Sequence, residues 1–260
     1  MLFGFGLVCP QRNFKTDVAF VSECGLVRKE NQDHVIVDQK ALVFCVADGM
    51  GGGEAGGEAS DIVCRNVDSL LHERTDFADR VRLVDDAIRH ADGDIRSVAA
   101  SAGYRQMGST VAVLVSDGRR VAAIGNVGDS RVYRLRAGRL QQITRDHTLA
   151  EVLAQRSPSR SARPVSDVHA LSLSHVLTRA VGVGQEPLKV DWHKIDVLDG
   201  DVLLLCSDGV HGFVPHPVLL DAVQAGRSAR EIVDRIASLV VESGARDNYS
   251  AIVVKIGGEK

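Results

Sequence analysis

The stretch ALVFCVADGMGG, residues 41–52, joins an apolar run to an acid and a glycine-rich segment. Its first seven residues, Ala41–Ala47, are all apolar, which is typical of a strand with both faces buried. Asp48 ends this run. A second run of the same kind, Val202–Cys206, is followed two residues later by Asp208. Both acids therefore stand at the ends of strands that the sequence predicts to lie in the core.

The order of the elements around this stretch indicates the fold class. Apolar periodicity predicts two consecutive helices after the early strands, over residues 59–71 and 83–98. A later helix begins with the capping box of Ser228 and Glu231 and has its apolar stripe at residues 232–240. The predicted strands are Asp17–Val21, Ala41–Ala47, Thr110–Ser116, Val121–Val127, Arg131–Leu135, Val202–Cys206 and Ala251–Ile256. Because helices and strands do not alternate strictly, this order favours an α+β fold with largely antiparallel sheets over a doubly wound parallel sheet.

The composition excludes several classes of function. The chain has 260 residues, a net charge of −3 and 45% hydrophobic residues, so we expect a single domain over residues 1–260. The near-balanced charge and 4% aromatic content argue against a nucleic-acid partner or an anionic membrane surface. No apolar stretch approaches the ~18 residues of a membrane span, and the N-terminus lacks the features of a signal peptide. The five cysteines are scattered without a CxxC pair, so we expect reduced thiols and a cytoplasmic protein.

Four acids stand at the edges of predicted core strands, and they are Asp48, Asp129, Asp208 and Asp247. Two of them begin Asp-Gly pairs, which are also common in turns, so turn chemistry is the plain alternative for each. A carboxylate buried after an apolar strand is costly unless a cation neutralises it, and no matching set of lysines or arginines is present. The nine histidines show no paired zinc-ligand spacing. The acids therefore predict a hard cation, Mg²⁺ or Mn²⁺.

The glycine-rich segment after Asp48 offers a rival interpretation. Gly51, Gly53 and Gly56 satisfy the G-x-G-x-x-G pattern of dinucleotide-binding folds, after a strand and before a helix. However, no strand ending in an acid follows that helix, and no G-K-[ST] sequence makes the segment a P-loop. We therefore interpret these glycines as allowing the backbone to approach a ligand closely.

Eight short motifs occur in a fixed order between about Phe20 and Ile256. They are GLVRKENQD (25–33), VADGMGG (46–52), MGST (107–110), NVGDSR (126–131), DH (146–147), LTRA (177–180), CSDG (206–209) and DNYS (247–250). Each motif alone is weak, but the ordered set resembles the PP2C-type (PPM) metal-dependent protein serine/threonine phosphatases, especially their stand-alone bacterial members.

The resemblance implies two packed, largely antiparallel β-sheets flanked by helices on both sides, with a dinuclear metal centre at one end. It implies that Asp48 bridges two ions of Mn²⁺ or Mg²⁺ and that the Gly49 carbonyl binds one of them. Asp208 and Asp247 match the remaining ligands of the first ion. Asp129, together with Asp208, matches a third and weaker site of the bacterial members.

The resemblance also implies a reaction, in which a hydroxide that bridges the two ions attacks phosphorus and no protein nucleophile is needed. Arg28 matches the arginine that holds the substrate phosphate, and its fork of donors suits two phosphate oxygens. Asp33 matches the acid that positions the metal-bound water. Taken alone, Arg28 stands in an ordinary charged turn.

Two positions depart from the eukaryotic members of the family. Gln32 stands where they carry a glutamate that contacts a metal through water, so we expect one metal to bind more weakly. Met50 stands where they carry a histidine that is proposed as the general acid. Protonation of the leaving group is therefore unassigned, with a metal-bound water preferred and His147 as a second candidate.

The segment from Thr148 to Ser174 is rich in serine and arginine and stands at the position of the family's variable flap. A structureless loop of that length is typical of a mobile functional flap or a disordered connection, and both alternatives stay open. We expect its arginines to help engage phosphorylated protein segments.

The leading hypothesis is a monomeric, metal-dependent phosphatase that hydrolyses phosphoserine and phosphothreonine in proteins. Its partners would be a bacterial Ser/Thr kinase and the targets of that kinase, with no nucleic acid and no membrane. A catalytically silent binding module is a second hypothesis, against which the four acids argue. A phosphatase of a small phosphomonoester is a third, although the long flap favours a macromolecular substrate.

Overall fold

The computed structural model describes residues 14–52, 54–70, 76–156, 173–184 and 187–259. In chain order the elements are β1 (Phe14–Glu23), β2 (Asp33–Asp38), β3 (Val43–Gly51), α1 (Ala55–Ser69), α2 (Phe77–Ala102), β4 (Met107–Ser109), β5 (Val111–Ser116), β6 (Val121–Val127), β7 (Arg131–Arg136), β8 (Arg139–Gln142), α3 (Leu149–Arg156), β9 (Asp191–Asp196), β10 (Val202–Cys206), α4 (Asp208–His211), α5 (His216–Ala225), α6 (Ala229–Glu242) and β11 (Tyr249–Glu259).

The strands form two sheets. One has the strand order β1-β11-β10-β7-β8, and the other has the order β2-β3-β5-β6-β9, with β4 paired to the end of β3. The neighbouring strands pair antiparallel in both sheets. The predicted α+β fold with largely antiparallel sheets is confirmed.

Three apolar clusters hold four layers together. One cluster lies between the two sheets, a second packs α1 and α2 against β3 and β5, and a third packs α5 and α6 against β7, β10 and β11. Because side chains alternate along a strand, β3 contributes Val43 and Cys45 to the helix side and Phe44 and Val46 to the opposite sheet. Burial on both faces explains why the run in β3 is apolar throughout.

Two of the helices, α2 and α6, begin at a residue whose side chain caps the helix. The Asp76 side chain accepts the N–H of Asp79 at 2.9 Å at the start of α2. Ser228 accepts the N–H of Glu231 at 3.2 Å at the start of α6, and Glu231 in turn accepts the N–H of Arg227 at 2.9 Å. The predicted N-cap at Ser228 is confirmed, but the second half of the capping box is not, because Glu231 accepts the N–H of Arg227 and not that of Ser228.

The sequence did not predict four of the strands: β2, β8 and β9 are edge strands, and β4 is the short strand paired to the end of β3. The prediction of an irregular segment from Thr148 to Ser174 is wrong at its start, because Leu149–Arg156 form α3. Residues 157–172 of this predicted flap lie outside the described residues. Asp92 also precedes a glycine, but it lies inside α2 and not in a turn, and it pairs there with Arg96 at 3.0 Å.

The thiols of Cys45 and Cys206 are free and fully buried, as the sequence predicts. Within the described ranges, none of the helices combines the length and the apolar character needed to cross a bilayer.

Candidate metal centre

The predicted acids come together at one end of the two sheets. Asp48 lies near the end of β3, and Asp208 follows the end of β10. Asp129 lies in the loop after β6, and Asp247 lies two residues before the last strand. All four, together with Gly49, line one cavity of about 550 Å³. The strand ends therefore bring residues distant in sequence to one place.

A fifth acid, Asp33, stands beside this group. It begins β2 directly opposite Asp48 in the register of the two strands, an arrangement of like charges that destabilises a sheet. Its Oδ2 atom accepts a hydrogen bond of 2.7 Å from the Ser207 hydroxyl, which itself accepts the N–H of Ser250 at 3.0 Å. Its Oδ1 atom is buried and has no hydrogen-bond partner among the described residues. One oxygen of Asp33 is thus fixed, and the other keeps its acceptor capacity.

Thr110 ties two of the acid-bearing segments together. Its hydroxyl accepts the N–H of Asp48 at 3.0 Å, and its own N–H donates to the Asp48 carbonyl at 2.8 Å. The same hydroxyl lies 2.7 Å from that of Ser130, the neighbour of Asp129. The backbones of Asp48 and Asp129 are therefore held in a defined relation to each other.

The glycines after Asp48 and Asp208 are required by close packing. A Cβ atom on Gly49 would lie 1.9 Å from the carbonyl oxygen of Gly56, and one on Gly209 would lie 1.8 Å from that of Asn248. Asp48 belongs to β3 and Asp208 begins α4, so neither Asp-Gly pair forms a hairpin turn. The alternative explanation of these two acids as turn residues is wrong.

The environment makes it costly to keep these acids ionised. Burial raises the pKa of Asp48 well above its usual range, and the charges of Asp33, Asp208, Asp129 and Asp247 raise it further. Burial, followed by the charge of Asp208, raises the pKa of Asp129 to about 7. Burial also raises the pKa of Asp33 to about 6, and burial with the charge of Asp247 raises that of Asp208. A bound cation would offset this cost.

The donor chemistry fits a hard divalent cation. Carboxylate and carbonyl oxygens are the ligands that Mg²⁺ and Mn²⁺ prefer, and the cavity presents both. The described ranges contain no group of three or more His, Cys, Asp or Glu side chains already gathered into a cage. The fit therefore rests on the shared cavity, on the mutual repulsion of the acids and on the unpartnered Oδ1 of Asp33.

Arg28 lies at the same cavity, in the loop after β1. Its Nη2 atom donates to Asp247 Oδ2 at 2.8 Å, and 54% of its side chain is exposed. Gln32 also lines the cavity, and its side-chain amide donates to Glu30 Oε1 at 2.6 Å. The arginine predicted to hold a phosphate is thus beside the acids and open to solvent.

His147, the second candidate for the general acid, does not line the cavity. Its Nδ1 atom accepts the N–H of Gly128 at 3.0 Å, and its Nε2 atom lies 3.1 Å from Asp191 Oδ2. It is buried, which lowers its pKa, and it is not among the cavity-lining residues. This geometry does not fit a general acid and makes His147 a support for the loop before Asp129.

Sequence reasoning missed His175, which lines the cavity together with Met50. Burial and the charge of Asp247 raise the pKa of Asp208 and His175 opposes this shift, so the side chains of Asp208 and His175 are close enough to interact. His175 directly follows the serine-rich segment Thr148–Ser174 interpreted as a flap, where no spacing singles it out.

The family model described as Protein phosphatase 2C matches residues 27–249. The chain is 31% identical over 239 residues to the serine/threonine protein phosphatase PstP of Mycobacterium tuberculosis, covering 90% of this chain and 44% of that relative. It therefore spans less than half the length of PstP. It is 30% identical over 246 residues to the serine/threonine phosphatase stp of Listeria welshimeri, covering 91% of this chain and 94% of the relative.

Solved structures give the same result. PppA, described as a key regulatory component of T6SS in Pseudomonas aeruginosa, superimposes with a TM-score of 0.82 and 31% identity, covering 93% of this chain and 97% of its own. The catalytic domain of PstP in complex with two manganese ions gives a TM-score of 0.80 and 28% identity, covering 94% and 99% of the two chains. In sequence and in fold, this chain belongs to the protein phosphatase 2C family.

Proposed function

We propose that this chain is a metal-dependent protein serine/threonine phosphatase that hydrolyses phosphoserine and phosphothreonine. The observation that carries the proposal is the convergence of Asp48, Asp129, Asp208 and Asp247 on one cavity that also receives Arg28. A site of oxygen ligands beside an arginine suits a phosphoryl group, since cations and the guanidinium both attract its oxygens. Family membership supports the same activity.

Two ions of Mn²⁺ or Mg²⁺ would be held by Asp48, the Gly49 carbonyl, Asp208 and Asp247. Asp129, with Asp208, would hold a third and weaker one. When bound, such ions lower the pKa of water and neutralise the phosphoryl oxygens. The relative that has been crystallised with two manganese ions supports this assignment.

Arg28 binds the substrate phosphate in this proposal. Only its Nη2 atom is engaged by Asp247 among the described contacts, which leaves further donors of the fork for phosphate oxygens. Asp33 orients the attacking water through its unpartnered Oδ1, while the Ser207 hydroxyl holds the other oxygen in place.

His175 supplies the proton to the leaving hydroxyl of the substrate. In this proposal it has the role that His147 cannot fill, because His175 lines the cavity while His147 is held between Gly128 and Asp191.

The substrates are phosphorylated proteins in the cytoplasm. Their dephosphorylation reverses the action of a bacterial Ser/Thr kinase. The domain extends over residues 1–260 and acts as a monomer, and the part of the predicted flap that follows α3, up to about residue 174, is expected to contact the substrate. The near-balanced charge of the chain supports a protein partner over nucleic acid or a membrane.

The proposal is tested by measuring hydrolysis of an aryl phosphate and of a phosphothreonine peptide with Mn²⁺ and with EDTA. We expect both reactions to require Mn²⁺ and to be lost in Asp208→Asn. Asp221→Asn, an exposed acid on α5, is the matched control and keeps full activity. A folded protein that binds Mn²⁺ and hydrolyses neither substrate would instead be a silent binding module.

A further inference from the structure

The two apolar residues that directly precede Arg28 in the sequence have side chains exposed to solvent. Leu26 is 70% exposed and Val27 is 65% exposed, the highest values among the large hydrophobic residues that the described chain leaves open. Single exposed apolar residues are ordinary, so exposure alone carries little. What distinguishes this pair is its position beside the cavity and the order of the loop that carries it.

The loop is fixed by hydrogen bonds at both ends. The Leu26 N–H donates to the Ala245 carbonyl at 2.8 Å. The Asn248 side chain donates to the carbonyls of Cys24 and Glu30, at 2.9 and 2.8 Å. The residues between Cys24 and Glu30 are therefore bound to the segment that carries Asp247.

Close packing against the segment that carries Asp247 also fixes this loop. Gly25 has a φ of +76°, and a Cβ atom on it would lie 2.3 Å from the carbonyl oxygen of Asp247. The backbone before Leu26 is thus in close contact with the segment that carries Asp247. Leu26 and Val27 therefore extend into solvent from an ordered loop. Apolar groups that are ordered before binding lose little entropy when a partner covers them.

The cavity itself has an apolar side. Met50, Val176, Leu177 and Val183 line it together with the acids, and Val176 is 45% exposed. A free phosphomonoester would need only the charged groups. Apolar surface within the cavity and beside Arg28 is what a peptide carrying the phosphate would contact on either side of it.

We propose that Leu26 and Val27 recognise an apolar residue adjacent to the phosphoserine or phosphothreonine of a protein substrate. This inference rests on the proposed function, because it requires Arg28 to hold the phosphate. Cα atoms of neighbouring residues are about 3.8 Å apart, so Val27 and Leu26 lie one and two such steps from Arg28. The side chains flanking a bound phosphoresidue are spaced on the same scale.

The test compares a double variant and a control variant on two matched phosphothreonine peptides. The residues that flank the phosphothreonine are leucine and valine in one peptide and lysine in the other. The double variant is Leu26→Ser combined with Val27→Ser. The control is Leu198→Ser, since Leu198 is 44% exposed but precedes β10 at the end of the sheets away from the cavity. Thermal unfolding verifies that each variant folds.

For the double variant we expect kcat/KM on the apolar-flanked peptide, relative to that on an aryl phosphate, to fall about fivefold through loss of partial apolar burial. The lysine-flanked peptide should show no such change, and Leu198→Ser should match the wild type on every substrate. The inference would be overturned if the ratio of kcat/KM on the apolar-flanked peptide to kcat/KM on the aryl phosphate were the same in the double variant and in Leu198→Ser. An equal loss on peptide and aryl phosphate would overturn it too, because the loop would then only support Arg28.

A binding measurement separates this inference from the proposed function. Fluorescence anisotropy gives the Kd of the same peptides carrying a non-hydrolysable phosphonate. A larger Kd for the apolar-flanked peptide in the double variant, but not in Leu198→Ser, supports recognition by Leu26 and Val27 even where no hydrolysis is detected. An unchanged Kd overturns it even where the enzyme is fully active.

Discussion

At the scale of single residues, the raised pKa of Asp129 makes the stability of the metal-free protein depend on pH. A carboxyl with a pKa of about 7 in the folded state holds its proton where the unfolded chain has lost it. The free energy of unfolding therefore falls as the pH rises from about 4 to about 7. In Asp129→Asn this loss is absent, because the amide carries no charge.

We expect Asp129→Asn to be more stable than the wild type in EDTA at pH 7.5, by about 1 to 3 kcal/mol. Near pH 4 the difference should shrink to about 0.5 kcal/mol, since the carboxyl is then protonated in the folded state and about half protonated in the unfolded chain. Urea unfolding at the two pH values measures this, with Asp221→Asn as the control. A difference that is the same at both values would show that burial does not perturb Asp129.

His175 makes a prediction that depends on the leaving group. An aryl oxide leaves readily without a proton, whereas the alkoxide of threonine does not. We therefore expect His175→Gln to reduce kcat on a phosphothreonine peptide about tenfold more than kcat on an aryl phosphate. His90→Gln, an exposed histidine on α2, is the control and should leave the ratio unchanged. Equal losses on both substrates would exclude His175 as the proton donor.

At the scale of elements, the contact between the end of β3 and the start of α1 is decisive for the site. A Cβ atom on Gly49 would meet the Gly56 backbone at 1.9 Å, and a backbone atom has little freedom to move aside. We expect Gly49→Ala to lower the free energy of unfolding by about 3 kcal/mol or more. Gly52→Ala is the matched control, because nothing lies within 4 Å of its Cβ position. Equal stability of the two variants, measured by urea unfolding, would contradict this packing.

The elements also differ in how far the sequence predicts them. Central strands such as β3 and β10 are buried on both faces, so their apolar runs are unambiguous. The edge strands β2, β8 and β9 have mixed polar and apolar residues, because only part of their surface is covered. Their pairing comes from the neighbouring strand and leaves little trace in local composition.

At the scale of the whole molecule, the site is assembled from residues far apart in the chain. Asp33 and Ser207 are 174 positions apart, yet a hydrogen bond of 2.7 Å joins them. The acids after apolar strands could be predicted because burial makes each one conspicuous. Ser207, Thr110 and His175 could not, since a serine, a threonine or a histidine without a recognisable spacing gains its role only from the tertiary fold.

The central claim is that the acids of the cavity hold divalent ions and that these ions are needed for phosphate ester hydrolysis. Its most direct test is phosphate release from a phosphothreonine peptide while Mn²⁺ is titrated into EDTA-stripped protein and bound Mn²⁺ is counted by electron paramagnetic resonance. We predict no release without Mn²⁺, a rate that rises with the bound metal, and loss of both binding and release in Asp48→Asn. Release that persists in EDTA, or full Mn²⁺ binding without any release, would contradict the account.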